Sequence, residues 1–300
     1  MEMEGNLLEL AGAYGVLAGY YDELMDEIDY DLWCDYVLGL VACGDTTEGS
    51  KSGAEVVGGS APGGLVAAKP KGYGKIGSRV LDLACGTGQF AYRLGQRGFV
   101  VTAVDISSEM LAVAEAKARS LNLEISFFRQ DMRQLQLPKC YDLVVCLCDS
   151  LNYLLEVDDL TATFSGVARV LEPGGHFVFD LNTEHKLATV YGDNTYAADL
   201  GDYAYIWENE YQPDTKLCYM DLAFFVPTLA LGKWGRESET PLFERLTESH
   251  VQRSFPPERI ANLVEAAGLK LLGQYGDLTL ASPNPTTERI TFHCYKPSCL

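Results

Sequence analysis

The stretch Arg79–Phe90, RVLDLACGTGQF, decides the fold of this chain. Its apolar residues Val80–Leu83 predict a short buried strand, which runs into a glycine-rich turn at Ala84–Gly88. A helix is expected to begin at about Gln89. Glycine in such a turn allows positive φ angles and lets a ligand approach the main chain, because no Cβ stands in the way. Since the first N–H groups of the helix favour polar or negative ligand atoms, the stretch predicts a ligand-binding corner.

A carboxylate lies one predicted strand further along the chain. Asp105 follows Gly88 by seventeen residues and comes at the end of the apolar run Phe99–Val104. An acidic side chain at the end of the second strand can accept two hydrogen bonds from the hydroxyl groups of an adenosine ribose. The corner and Asp105 together predict a site for an adenosine-containing cofactor.

From Ser78 onward, strand and helix patterns alternate. The predicted strands are Val80–Leu83, Val100–Val104, Ile125–Phe128, Leu143–Leu147, Phe177–Phe179, Leu269–Leu272 and Ile290–Tyr295. The predicted helices are Gln89–Arg97, Ser108–Leu121 capped by Ser107 or Ser108, one through Leu160–Leu171 that Gly174-Gly175 ends, and one that Pro256-Pro257 starts. This alternation predicts an α/β protein with a Rossmann-like, doubly wound, seven-stranded sheet that carries helices on both faces.

The segments around this pattern give the expected domain organisation. Residues 1–43 interleave aromatic and acidic side chains and predict an N-terminal helical cap. Residues 44–77 contain few large apolar side chains to offset chain entropy, so we expect a flexible low-complexity insertion, with a working lid as the alternative. Residues 183–255 turn to period-two patterning and predict an inserted antiparallel β lid. The Rossmann-like core then comprises residues 78–182 and 256–300.

The composition narrows the classes of partner. The formal net charge of −19 argues against nucleic acid and against an anionic membrane surface, because both need a basic protein surface. The nine cysteines show no metal-ligand spacing, so we expect mostly buried thiols in a reducing cytoplasm and no metal site. No signal-peptide pattern and no membrane-spanning apolar run is evident. We therefore expect a cytoplasmic protein that acts on a small molecule; its oligomeric state is open.

Details of the corner distinguish between cofactors. GTGQFA, Gly86–Ala91, formally matches a dinucleotide fingerprint. However, Asp82 lies inside the strand, two residues before Ala84, and the resulting D-x-A-C-G-T-G pattern resembles motif I of class I S-adenosylmethionine-dependent methyltransferases. The resemblance implies that S-adenosyl-L-methionine is the cofactor and S-adenosyl-L-homocysteine the product. The residues that it assigns to the methionine end are Asp82, Ala84, Cys85, Gly86 and Gly88.

Later landmarks resemble the same family in order and spacing. The resemblance implies that Asp105 binds the ribose, that Ile106 and Met110 border the adenine, and that Asp131 and Met132 contact it from beyond the third strand. Cys148 and Asp149 follow the fourth strand, which is the family's usual place for the reacting centre. LEPGGHFVFD, Leu171–Asp180, resembles the turn into the fifth strand. The family sheet has seven strands, the last of them antiparallel.

A closer resemblance covers nearly the whole chain outside the insertion. The N-terminal pattern of Tyr14, Tyr21-Asp22, Asp29-Tyr30 and Trp33, together with CDSLNYL (Cys148–Leu154) and ESHVQRSF (Glu248–Phe255), is similar to a bacterial small-molecule subgroup. That subgroup is similar to amino-sugar N,N-dimethyltransferases. The resemblance implies that the N-terminal helices fold over the cofactor, with Tyr14, Tyr21 and Trp33 as binding residues. Ala84 departs from the family pattern, which usually has glycine there.

Five residues are candidates for the catalytic site. Tyr14 either lines the methyl-transfer channel or packs between helices. Asn152 and Tyr153 follow the fourth strand and either hold the nucleophile or cap the loop. His250 is a candidate proton acceptor and Arg253 a candidate holder of an anionic group, with a surface pair as the alternative.

Absent motifs narrow the acceptor class. The chain lacks both the Asn- or Asp-Pro-Pro-aromatic run of amino methyltransferases that act on nucleic-acid bases and the Pro-Cys dipeptide of cytosine-carbon enzymes. The aromatic residues Tyr203, Tyr205, Trp207, Phe224 and Phe225 are more typical of the buried face of a small sheet than of a pocket wall. We therefore predict methyl transfer from S-adenosylmethionine to a small molecule, with an amine nitrogen preferred. The alternatives are an NAD-dependent oxidoreductase and a non-catalytic S-adenosylmethionine-binding protein.

Overall fold

The computed structural model describes residues 17–25, 28–44, 78–139, 141–201, 203–227 and 242–298. The predicted insertion, apart from Gly44, and the candidate Tyr14 lie outside these residues, so the expectations for them stay predictions. Within the described ranges, no helix combines the length and apolar character that crossing a membrane demands.

The strands of the described residues form two sheets. Their bounds are β1 Arg79–Leu83, β2 Val100–Asp105, β3 Ile125–Arg129, β4 Tyr141–Cys146, β5 Leu171–Asn182, β6 Thr195–Asp199, β7 Ala204–Gln212, β8 Leu217–Pro227, β9 Phe243–Arg253, β10 Lys270–Gly276 and β11 Arg289–Tyr295. The larger sheet has the order β3-β2-β1-β4-β5-β11-β10. Strands β1 to β5 pair in parallel, whereas β11 runs antiparallel to β5 and to β10. The predicted doubly wound, seven-stranded sheet with an antiparallel last strand is confirmed.

Among the described residues, two α-helices precede β1, and the other α-helices fall between strands as the patterning indicates. They are α1 Tyr21–Leu24, α2 Tyr30–Gly44, α3 Gln89–Gln96, α4 Ser108–Ser120, α5 Val157–Val170 and α6 Pro257–Ala266. The Ser107 hydroxyl accepts a hydrogen bond from the Met110 N–H at 3.1 Å, which confirms the predicted cap of α4. Proline begins α6, where its missing N–H costs no helical hydrogen bond.

One helix boundary differs from the prediction. Helix α5 ends at Val170 rather than at Gly174-Gly175, because Pro173 disfavours helical backbone at the residue before it. The two glycines belong to the start of β5 instead. A Cβ at Gly175 would stand 2.9 Å from the Glu172 carbonyl oxygen and 3.0 Å from that of Tyr141. Glycine there permits the close approach of β4 and β5.

The smaller sheet is the antiparallel meander β6-β7-β8-β9, as the period-two pattern predicts. Its aromatic residues divide between two apolar clusters. Tyr203 and Phe224 are buried in one cluster, against which Tyr21 packs. Trp207 packs against the other, beside Met220. The stripe therefore packs the sheet and joins it to the N-terminal helices.

Two apolar layers cover the two faces of the larger sheet. One layer includes Phe164 of α5 and Phe177 and Phe179 of β5. The other includes Val37 of α2 and Leu94 of α3. The strand order reverses between β1 and β4, so a crevice opens beyond the carboxyl ends of these strands, where open α/β sheets bind ligands.

Candidate active site

A cavity lies at this point of strand reversal. It holds about 870 Å³ of empty space when counted out to its open mouth. It is lined by Tyr21, Tyr30, Asp82, Ala84, Cys85, Gly86, Thr87, Gln89, Phe90, Asp105, Ile106, Met110, Met132, Leu147, Cys148, Ser150 and Tyr153.

The floor of the cavity is the turn between β1 and α3. Ala84 and Gly86 have φ angles of 57° and 54°. The Cys85 N–H donates to the Val104 carbonyl at 3.0 Å, so the turn is anchored to β2. A Cβ built on Gly86 would meet no atom within 4 Å, which leaves this part of the main chain open to a ligand. Alanine at position 84 adopts the left-handed backbone that the corner requires.

Asp105 lies on the adjoining wall with both carboxylate oxygens oriented by the main chain. The Gly86 N–H donates to Oδ2 and the Ser107 N–H to Oδ1, each at 2.8 Å. Burial raises the pKa of Asp105, while the hydrogen bonds from Ser107, Gly86 and the Ile106 backbone oppose that rise. Each oxygen has a second lone pair, so the carboxylate can accept further hydrogen bonds from two neighbouring hydroxyl groups.

Asp82 lies beneath the turn and carries an oxygen that needs a donor. The side chain is 3% exposed, and Oδ2 has no hydrogen-bond partner among the described residues. Burial and the nearby charge of Asp105 raise the pKa of Asp82 to about 8. A buried acceptor without a partner is costly, so a donor group of a ligand would relieve Asp82 here.

Helix α1 covers the corner from the N-terminal side. Asp22 accepts a hydrogen bond from the Thr87 hydroxyl at 2.6 Å and forms an ion pair with Lys117 of α4. Burial acts to raise the pKa of Asp22, but hydrogen bonds from Gln89, Lys117 and Thr87 outweigh it and lower that pKa. The neighbouring Tyr21 lines the cavity. The N-terminal cap is thus attached directly to the cofactor corner.

A second, smaller cavity continues from the first along β2 and β3. It holds about 380 Å³, shares Ala84, Asp105, Ile106, Met132 and Tyr153 with the first, and adds Val104, Gln130, Asp131 and Leu154. The carboxylate of Asp131 pairs with Arg133 at 2.7 Å, and Arg133 also contacts Asp159 at 3.3 Å. These contacts fix Asp131 at the rim of a slot lined by apolar side chains.

The turn after β4 forms the opposite wall. Cys148 and Asp149 both have left-handed backbone, with φ angles of 57° and 53°. Cys148 lines the cavity, whereas the carboxylate of Asp149 accepts hydrogen bonds from Arg289 at 2.7 Å and from Gln252 at 2.6 Å. Asp149 therefore holds the wall from behind.

Asn152, His250 and Arg253 lie behind Tyr153, which faces the cavities. Asn152 is fully buried and donates to the carbonyl oxygens of Asn182 and Arg253 at 3.1 and 2.9 Å. The ring of His250 meets that of Tyr153 edge-on at 5.9 Å. Arg253 donates to the Leu155 carbonyl at 2.7 Å. The structure brings the turn after β4 and strand β9 together here, but the side chains of Asn152 and His250 are buried, that of Arg253 is partly exposed, and none of the three lines the cavities.

Two residues predicted to bind the cofactor, Gly88 and Trp33, do not line the cavity and instead support the fold. Gly88 is the N-cap of α3 with a φ of 81°, and a Cβ there would stand 2.6 Å from Cε1 of Tyr92. Glycine at this position serves the helix start. Trp33 is buried in the α2 layer, and the Arg289 guanidinium lies 5.3 Å from its ring centre.

Several lining residues escaped the sequence reasoning. Thr87, Gln89 and Phe90 lie within the quoted corner, where the spacing of main-chain positions could have indicated them. Tyr30 belongs to the N-terminal Asp29-Tyr30 pattern, from which no binding role for its ring was predicted. Arg289 does not line the cavity but binds Asp149 from behind, and no sequence pattern indicated it, because it comes from the last strand of the chain.

Comparisons with known proteins agree on one family. Residues 80–175 match a family model described as a methyltransferase domain. The chain is 34% identical over 284 residues to "Putative methyltransferase YqeM" of Bacillus subtilis (strain 168), which covers 94% of this chain and 97% of that protein. This chain belongs to the class I S-adenosylmethionine-dependent methyltransferases. The crystal structure of an S-adenosylmethionine-dependent methyltransferase from Clostridium acetobutylicum ATCC 824 has a TM-score of 0.73 at 30% identity and covers 95% of this chain and 99% of that one.

More distant structures share the fold of this methyltransferase. The sugar N-methyltransferase KedS8 from Streptoalloteichus sp ATCC 53650 has a TM-score of 0.56 at 19% identity over 74% of this chain and 81% of its own. The cofactor is S-adenosylmethionine, and the residues of the cavity fit it: the main chain at Gly86 is open, and Asp82 Oδ2 needs a donor such as an ammonium group. The NAD-dependent alternative is overturned by these matches.

Proposed function

We propose that this methyltransferase transfers a methyl group to an amine nitrogen of a small molecule. When bound, S-adenosylmethionine supplies a methyl group on a positively charged sulfur, which a nucleophile attacks in line. The protein then has to bind the acceptor, orient it and exclude water. The observation that carries the proposal is the chemistry of the wall opposite the cofactor corner.

That wall consists of neutral groups. Burial raises the pKa of Tyr21 well above its ordinary value, and it likewise raises the pKa of Tyr30. Burial also raises the pKa of the Cys148 thiol. These groups therefore stay protonated and do not act as strong bases. An amine needs only to lose its proton before attack, whereas oxygen and carbon acceptors need a base in the transition state.

The aromatic character of the wall favours the same acceptor. Tyr21, Tyr30, Phe90 and Tyr153 line the cavity, and aromatic faces attract ammonium groups. The fold that the chain shares with the sugar N-methyltransferase KedS8 is in line with this acceptor class. Together with the net charge of −19, these rings support a small cationic acceptor rather than a nucleic acid.

The residues divide into two proposed roles. We propose that the cofactor is bound by Asp82 and the Ala84–Gly86 main chain, with its ribose at Asp105 and its adenine in the slot at Asp131. We propose that the acceptor is bound by the wall that consists of Tyr21, Tyr30, Cys148, Ser150 and Tyr153. His250 lies behind Tyr153 with its Nε2 atom 3.4 Å from Glu248 Oε2, so we assign the pair to the packing of that wall. We place the reaction in the cytoplasm, as the cysteine usage indicates.

The test is release of S-adenosylhomocysteine over matched pairs of acceptors. Each pair comprises a small primary or secondary amine and the alcohol in which a hydroxyl replaces the amino group. We expect release above the acceptor-free rate with one or more amines and none with the matched alcohols. Release with the alcohols alone would refute the nitrogen acceptor. Tight S-adenosylhomocysteine binding without turnover on any pair would favour the non-catalytic binding protein.

A further inference from the structure

The turn Leu147–Ser150 after β4 is held in an unfavourable backbone conformation. Two consecutive residues, Cys148 and Asp149, are left-handed although neither is glycine. Such backbone persists only where the surrounding structure fixes it, and it concentrates at functional sites. Leu147, Cys148 and Ser150 line the cavity on the side proposed for the acceptor. Contacts that hold Asp149 in this conformation therefore also hold the cavity wall formed by its neighbours.

The carboxylate of Asp149 is held from two directions. Arg289 of β11 donates to Oδ1 at 2.7 Å and also pairs with the buried Asp180 of β5. Gln252 of β9 donates to Oδ2 at 2.6 Å. Arg289 belongs to the larger sheet that carries the turn, whereas Gln252 belongs to the smaller sheet. The Gln252 amide is thus a direct link between the two sheets at the wall of the cavity.

Gln252 is part of a buried polar row on β9. Glu248, His250 and Gln252 alternate with more exposed residues and are only 7%, 5% and 2% exposed, so all three lie on the buried face of β9. The amide oxygen of Gln252 accepts a hydrogen bond from Asn182 Nδ2 at 3.1 Å. Both ends of the amide are used, which fixes its orientation and aims its N–H group at Asp149.

We propose that Gln252 is a positioning residue. It couples the conformation of the turn Leu147–Ser150 to the position of the smaller sheet. The acceptor-side wall adopts its shape when β9 lies in place and its amide binds Asp149. The inference rests on the proposed function, because it concerns the acceptor side of the cavity. Gln252 is a better test than Arg289, since loss of the guanidinium would leave the buried Asp180 uncompensated.

The turn can be observed without knowing the acceptor. Cys148 reports the turn, Cys85 reports the opposite wall of the same cavity, and Cys34, which is fully buried, reports the overall fold. Alkylation by iodoacetamide under native conditions, resolved by site with mass spectrometry, measures all three in one sample. The matched control is Ser249→Ala on the outward face of β9, which also removes a side-chain hydrogen bond to a carboxylate.

We expect Gln252→Leu to raise the alkylation rate of Cys148 about tenfold, because a hydrogen bond to a charged acceptor is lost. The rates at Cys85 and Cys34 should stay at the wild-type level, and Ser249→Ala should leave all three unchanged. An unchanged Cys148 rate in Gln252→Leu would overturn the proposal. An equal rise at all three cysteines would do the same, because it would show a general loosening.

Gln252→Glu gives a second readout that a purely structural role would not move. Its carboxylate repels Asp149 when charged but can donate a hydrogen bond when protonated. The charged groups facing Asp149 are Arg289, Lys186 and Asp180. We expect the Cys148 rate, relative to wild type at each pH, to fall as the pH is lowered across the range in which the protein stays folded, because protonation of the pair restores the hydrogen bond. A ratio that is constant over this range would contradict the proposal.

Activity separates this proposal from the proposed function. With an amine found by the release assay, Gln252→Leu should raise the KM for that amine while the Kd for S-adenosylhomocysteine stays unchanged. A raised Kd with an unchanged KM would assign Gln252 to the cofactor side and refute its role at the acceptor wall. If no amine is turned over, the proposed function fails, and the alkylation rates still decide the role of Gln252.

Discussion

Replacement of Asp105 by alanine tests the cofactor site most directly. The carboxylate is the acidic group that the structure aims into the cavity from β2, and the N–H groups of Gly86 and Ser107 fix both its oxygens at 2.8 Å. Loss of two hydrogen bonds from ribose hydroxyls to a charged acceptor should weaken cofactor binding by about 1.5–3 kcal/mol. This corresponds to a rise of about 10- to 150-fold in the Kd.

The same substitution also affects the protein without ligand. It leaves the Gly86 and Ser107 N–H groups without their acceptor, so the free energy of unfolding should fall by about 1–3 kcal/mol. Asp105→Asn keeps one carbonyl oxygen and should give an intermediate Kd. Titration calorimetry with S-adenosylhomocysteine measures the affinities, and urea denaturation measures the stabilities.

A matched control is available on β4, on the far side of β1 in the same sheet. Asp142 of β4 also accepts a main-chain hydrogen bond at 2.8 Å, from Arg79, but at an exposed position. Asp142→Ala should leave the Kd unchanged. If folded Asp105→Ala bound S-adenosylhomocysteine within about twofold of the wild type, the carboxylate would have no part in cofactor binding and the reasoning from the corner would fail.

Three further predictions concern stability and the cap. Burial, followed by the charge of its partner His176, lowers the pKa of His293 to about 3. The unfolded chain therefore binds a proton that the folded chain does not. The free energy of unfolding should fall by up to about 1.4 kcal/mol per pH unit as the pH drops from about 6.5 towards 3. Denaturation of the wild type and His293→Asn across this range should show a shallower slope for the variant, and parallel slopes would contradict the assignment. Gly88→Ala places a side chain at a φ of 81° against Tyr92 and should lower the free energy of unfolding by about 1–3 kcal/mol in urea denaturation, so a neutral effect would refute the packing argument. Asp22→Ala detaches the N-terminal cap from the corner and should speed dissociation of S-adenosylhomocysteine in stopped-flow experiments, whereas an unchanged rate would separate the cap from the cofactor.

Local signals in the sequence were sufficient for the core of the fold. Apolar runs and helical spacing gave the strands and helices because buried faces impose their own period. Ser107 was found as a helix cap because capping depends on one residue and its near neighbours. The predicted α5 boundary is wrong because Pro173 ends the helix before the glycines are reached, and Gly175 serves the packing of β4 against β5 instead.

The sequence by itself determined the corner at Ala84–Gly88 and the adjoining carboxylate of Asp105, because both depend on backbone conformation and on spacing along adjacent parallel strands. Only the tertiary structure decided how the acceptor wall is held. Asp149 meets Gln252 across 103 residues and Arg289 across 140. No period or spacing encodes such contacts, since they exist only once the two sheets and the last strand pack together and bury their polar groups against one another.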